Sequence, residues 1–261
     1  MRLIPQRWRR KPRRDHEGNM TLVEHLEELR TRLFYALGAI ALASIAGWFL
    51  YEPVLHLLRE PFCNTVQSLP PQNRPPTGCR FITLGGVLDP VAVKLKVVVY
   101  LGLMLALPVV LYQFWAFVVP GLTRRERRLA VPFILSSSVL FGIGVAFAYV
   151  TLPKALDFLL GFAGANVVPI LTADKYLTFL MLVALSFGLS FEFPIVLIFL
   201  SIAGVISSRQ MREWRRGAVM GIAVFAAVIT PSADPYTMLA MMIPMVLFYE
   251  AAIIVARVMK H

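Results

Sequence analysis

Long apolar runs alternate with short charged segments along this chain, and that alternation predicts a bundle of membrane-spanning helices. The runs cover residues 33–51, 91–119, 129–152, 176–206, 214–230 and 236–258. A helix needs about 20 apolar residues to cross a bilayer, so the pattern predicts six spans. The runs are unequal. The fourth has 31 residues, about 46 Å at 1.5 Å per residue, so it must tilt, kink or project from a hydrocarbon core of ~30 Å. The fifth has 17, roughly 25 Å, and implies a locally thinned bilayer or a partner beside it.

Within the fourth run a single ionisable residue stands out, Glu192, midway between Lys175 and Arg209. A charged side chain near the bilayer centre costs about 2.5–3.5 kcal/mol on insertion scales, and such residues usually face a bundle interior or mark function. Pro194 follows two residues later and frees the carbonyl of Ser190, which makes a polar notch with Gly188 nearby. Two readings stay open: a carboxyl bonded to the freed backbone, or a functional intramembrane polar site.

Local signals place the remaining elements. Thr21 and Glu24 form a capping box, so a helix starts near Leu22. Leu22, Leu26, Leu29 and Leu33 make one stripe, and Glu24, Glu28 and Arg32 another at i, i+4 spacing. This amphipathic start leads into the first span. Residues 52–90 read as a long proline-rich loop, with a short surface helix near His56. Loops of this length are usually functional or structured. Both cysteines, Cys63 and Cys79, lie in it. In an oxidising compartment they can form a disulfide; two free thiols are the other reading. The second span is expected to kink at Pro108. Gly217 and Gly221 give the fifth run a flat face for close helix contact, internal or with a partner.

Composition and charge sharpen this picture. The chain is 58% hydrophobic and 16% charged, too apolar for a soluble domain of its length and typical of the membrane class. A net charge of +11 raises nucleic acid as a partner, but the placement of the basic residues excludes it. Nineteen Lys and Arg lie on the N-terminal segment, the two basic connections and the C-terminus, against seven on the alternate side. The positive-inside rule therefore puts both termini in the cytoplasm and the cysteine loop outside. Residues 1–20 are expected to be a disordered basic tail near anionic headgroups, and 21–258 the membrane domain. No Walker A loop, dinucleotide fingerprint, HExxH, GxSxG or metal-ligating cluster is present, so the sequence predicts no enzyme, cofactor or metal, and driving energy comes from outside the chain.

Three stretches carry a family resemblance: His25-Leu-Glu-Glu-Leu-Arg-Thr-Arg-Leu33, Tyr112 to Arg128 (YQFWAFVVPGLTRRERR), and Ser190-Phe-Glu-Phe-Pro194. In this order, with six spans, they resemble TatC, the multispan subunit of the twin-arginine protein translocase. The resemblance implies an all-α, N-in/C-in concave bundle with short fifth and sixth helices in the cytoplasmic membrane. It further implies a receptor for twin-arginine signal peptides of folded substrates, single-span TatA/TatB-type partners, self-association and use of the proton-motive force. Carried over by motif, the signal-peptide contacts are Glu28, Arg30, Phe117, Glu126 and Arg128. Partner-helix contacts fall at Gly217, Gly221, Thr230 and Asp234. Carboxylates suit this role because they pair guanidinium in bidentate fashion. Structural readings stand beside these: Glu28 with Arg32 on its own helix, and Glu126 in a capping box with Thr123. The competing function is a proton-coupled small-molecule carrier with Glu192 as its proton site. Such carriers usually show internal repeats, and the SFEFP notch has no second copy in the chain.

Overall fold

The computed structural model describes residues 22–68, 71, 74, 78–83, 86–118, 130–161, 172–231 and 234–258. The named elements are all helices: α1 (Leu22–Ser68), α2 (Asp89–Val118), α3 (Ala130–Gly161), α4 (Ala173–Phe191), α5 (Phe193–Ile202), α6 (Ser208–Glu213), α7 (Arg215–Ile229) and α8 (Pro235–Val258). Five stretches are long and apolar enough to cross a membrane: α1, α2, α3, the α4–α5 pair and α8. The fifth expected span, α7, has 15 residues, roughly 22 Å, which falls short of a ~30 Å core. The last helix, expected to be short as well, has 24 residues, about 36 Å. Only the fifth is short.

Two expected boundaries are corrected. The loop assigned to 52–90 is helical in its first part, because α1 runs on through Pro53 and Pro61 to Ser68. Each proline removes one backbone bond, yet Leu58, Phe62 and Val66 recur at i, i+4, i+8 and are all buried. They pack into a cluster with Val93 and Val97 of α2, Leu152 and Leu156 of α3, and Tyr176, Leu177 and Leu180 of α4. Burial of that stripe outweighs the two lost bonds. For the same reason α3 continues past Pro153 to Gly161, with Ala155 and Leu156 buried.

The fourth span breaks where the sequence places its notch. Glu192 closes α4 and opens α5, with φ −73° and ψ −19°, and Pro194 lies in the first turn of α5. That is the one place in a helix where a missing N–H costs nothing. α4 is the most buried helix, and its Phe187 and Ala184 join Met241, Met245 and Tyr249 of α8 and Ala148 of α3 in the largest apolar cluster. Two glycines let α3 and α4 cross closely. A Cβ on Gly144 would come 2.7 Å from the Phe187 carbonyl oxygen, and one on Gly188 2.6 Å from the Phe141 ring.

The two ends of the bundle differ. At one end, here termed the cap, Phe62, Phe81 and Tyr176 form a ring triad with centroids 5.3–5.4 Å apart. The Tyr176 hydroxyl donates to the Leu58 carbonyl at 2.9 Å, Ile82 bridges to Thr172, and Lys96 pairs with Asp174. The opposite end carries the start of α1 and the end of α2.

Candidate functional site

The α1 stripe of charges meets α2 at the open end. Arg32 donates from Nε (2.9 Å) and Nη2 (2.5 Å) to the same oxygen of Glu28, Oε1, the i, i+4 pairing that helix geometry favours. Arg32 Nη1 also reaches Gln113 Oε1 of α2 at 3.5 Å. Glu28 Oε2 is buried and has no hydrogen-bond partner among the described residues. One lone-pair face of this carboxylate is therefore committed to Arg32 and the other is not. His25, one turn earlier, stacks on Phe117 of α2 with centroids 4.3 Å apart and planes inclined by 16°. Phe117 thus joins the Glu28 group through His25, a contact that sequence spacing does not reveal.

Arg30 does not join it. Its guanidinium lies over the Phe34 ring at 5.7 Å, because residue 30 is rotated about 200° from residue 28 around the helix. Glu126, Arg128 and the Thr123 capping box lie outside the described residues, as do Thr21 and the 1–20 segment.

The intramembrane site is built by three helices. Ser137 of α3 hydrogen-bonds the Glu192 side chain and accepts from Trp115 Nε1 of α2 at 3.1 Å. The result is a Trp–Ser–Glu relay of hydrogen bonds in a span otherwise filled with apolar groups. Glu192 Oε1 has no partner among the described residues. Ser190, expected beside it, turns away: its hydroxyl donates to the Ser186 carbonyl at 2.7 Å and contacts Met241 Sδ at 3.3 Å. The backbone-bonding reading is replaced by a side-chain one. Ser137 and Trp115 escape sequence reasoning, since packing alone brings them to Glu192.

The expected partner contacts divide into two kinds. A Cβ at Gly217 or Gly221 would meet nothing within 4 Å, so this face of α7 packs on nothing within the described chain. The buried face of α7, with Ile222 and Ala226, lies against α8. Thr230 and Asp234, by contrast, are each 4% exposed. Thr230 bonds back to the Ala226 carbonyl, and Asp234 Oδ1 accepts from Thr237 N at 2.8 Å. Asp234 is the N-cap of α8, with Pro235 at the first helical position. The Asp-Pro pair is itself a helix-start signal and would have identified the role. Within the described chain both residues serve helix ends, Thr230 as the C-cap of α7 and Asp234 at the start of α8.

Cys63 and Cys79 come together at the cap as free thiols, with Cys63 Sγ 3.9 Å from the Cys79 carbonyl oxygen. Among the described residues no group of three His, Cys, Asp or Glu side chains could hold a metal.

Comparison with known proteins accounts for this arrangement. The profile described as Sec-independent protein translocase protein (TatC) matches residues 24–244. TatC of Frankia casuarinae is 41% identical over 249 residues, covering 94% of this chain and 68% of the relative. TatC of Aquifex aeolicus is 36% identical over 241 residues, covering 91% and 95%. A crystal structure described as the twin arginine translocase receptor TatC superposes with a TM-score of 0.72 at 34% identity, covering 91% of this chain and 100% of that one. The chain belongs to the TatC family, the multispan subunit of the twin-arginine protein translocase.

Proposed function

We propose that this subunit is the signal-peptide receptor of its translocase, and that Glu28 takes a guanidinium of the paired arginines on Oε2. The observation that carries the reading is a half-used carboxylate: Oε1 is occupied by Arg32, while Oε2 is buried without a partner. An arginine fork at a partly desolvated interface forms the strong, charge-assisted kind of hydrogen bond. Phe117 and the apolar side chains of the second helix provide an apolar track for the rest of the peptide, and Glu126 and Arg128 complete the contact set. The excess of basic residues beside this site supports a cytoplasmic location for it and for both termini, in the cell membrane.

In the same reading, single-span TatA/TatB-type partners dock on the glycine face of α7 and at Glu192, copies of the subunit associate, and the proton-motive force supplies the work of export. The alternative of a small-molecule carrier gains no support from the family match.

The test is binding of a synthetic paired-arginine peptide to the purified chain. Glu28→Ala should weaken it about tenfold or more, because a bond to a charged group contributes about 1.5–3 kcal/mol. Glu28→Gln keeps the shape and should fall nearly as far. Unchanged affinity in both, at normal membrane levels, rejects the site.

A further inference from the structure

A cavity of about 390 Å³ lies between α1, α2, α3 and α4 on the cap side of the bundle. Its size falls in the ~300–1,000 Å³ range of ligand pockets. The lining runs along α3 from Gly142 to Leu152, a length of roughly 15 Å, which is about half of a ~30 Å hydrocarbon core and so one leaflet deep. The walls are apolar side chains, among them Val145, Val183 and Leu180. Gly142 and Ala146, one turn apart, keep the slot open, and a Cβ at Gly142 would meet nothing within 4 Å. The rim residues Leu57 and Val150 are exposed at 49% and 72%, so the slot opens sideways toward lipid.

The mouth at the cap side is polar. Tyr149 lines the cavity, and its hydroxyl lies 3.0 Å from the Leu57 carbonyl and 3.2 Å from Glu60 Oε2. A carboxylate at the mouth matches a headgroup that carries an ammonium better than a purely anionic one.

We infer that this slot holds an acyl chain of an amine-headed phospholipid, with the ammonium on Glu60 and the chain lying along α3. An acyl chain is as apolar as the leucine and valine side chains it would touch, so shape and the polar mouth together select it. The site is separate from both carboxylate sites above and does not depend on the signal-peptide reading.

The full chain is reconstituted in vesicles containing phosphatidylethanolamine with a photoactivatable group in mid-chain, irradiated, and mapped by mass spectrometry. Labelling should concentrate on residues 142–152 above the level on the lipid-facing side of α1. Gly142→Leu should fill the slot and reduce that labelling to the α1 level, with Ala146→Leu as a second variant and an unchanged melting temperature in detergent as the control for folding. Glu60→Gln should lower it roughly two- to fivefold, the range of an exposed ion pair, and a phosphatidylglycerol probe should label less than the ethanolamine one. Labelling spread evenly over the lipid-facing surface, or unchanged by both filling variants, overturns the site. Absence of label at 142–152 in the unmodified chain assigns the cavity to a partner side chain and also overturns it. Equal labelling by the two headgroups, with no effect of Glu60→Gln, overturns the headgroup assignment.

Discussion

The cap and the open end of this bundle are built on opposite principles. At the cap, α1, the loop after it, α2 and α4 are tied by a ring triad, a buried tyrosine bond, a backbone bridge and an ion pair. At the open end, the Glu28 group rests on the two helix ends of α1 and α2 and leaves one carboxylate oxygen unpartnered. A region whose helices are cross-tied in this way acts as a frame. A region that keeps a desolvated acceptor unpaired gains most when a donor arrives. On the proposed function, the difference puts holding at the cap and signal-peptide binding at the open end.

Breaking the cap should give the largest effect. Tyr176→Ala removes a buried ring and should cost about 3–5 kcal/mol, as for other large aromatic truncations, read as loss of thermal stability in detergent. Peptide affinity per folded molecule should hardly change, because the open end is untouched. A selective loss of peptide binding without loss of stability would erase the distinction.

Next is the thiol pair, which we propose closes to a disulfide in an oxidising compartment. A loop of about fifteen residues closed in this way contributes on the order of 3 kcal/mol. Thiol labelling before and after reduction should find Cys63 and Cys79 protected as a pair, with the melting temperature lower once they are reduced. Full labelling without reductant rules out the bridge.

Glu192 tests whether the contrast extends into the membrane. Its relay through Ser137 and Trp115 leaves Oε1 unpartnered, as at Glu28. If a partner helix docks there, Glu192→Gln should keep most export and partner crosslinking, and Glu192→Ala should lose both. Equal loss in the two variants would mark a proton-carrying role, and full export with Ala a packing role. The smallest effect belongs to Tyr176→Phe, which keeps the ring and removes only the bond to Leu58. It should cost about 0.5–1.5 kcal/mol, again with peptide affinity unchanged.

Hydrophobic runs located the centres of the spans because bilayer thickness fixes their length, and the break at Glu192 was legible because proline imposes it. The extension of α1 was not, because Pro53 and Pro61 outweighed the Leu58, Phe62, Val66 spacing that pays for the helix. Glu28 was visible as a residue, but its half-used state depends on where Arg32 and Gln113 come to rest. Ser137 carries no local mark at all; only the crossing of α3 over α4 gives it a role. At Asp234 the Asp-Pro step encodes a helix start, and the bond from Thr237 N to its carboxylate in the first turn of α8 agrees with it.

The Tyr176–Leu58 bond joins residues 118 positions apart, and that separation has a consequence in time. At roughly 5–20 residues per second, synthesis takes on the order of 6–24 s to travel from one partner to the other. For that interval the Leu58, Phe62 and Val66 stripe exists without the α4 surface that will cover it. Cys63 and Cys79, only 16 positions apart, can meet well before α4 is made. The cap is therefore assembled late and from the short-range contacts outward, and the nascent chain is most open to proteolysis and chaperone capture at the part of the molecule that ends up most firmly fastened.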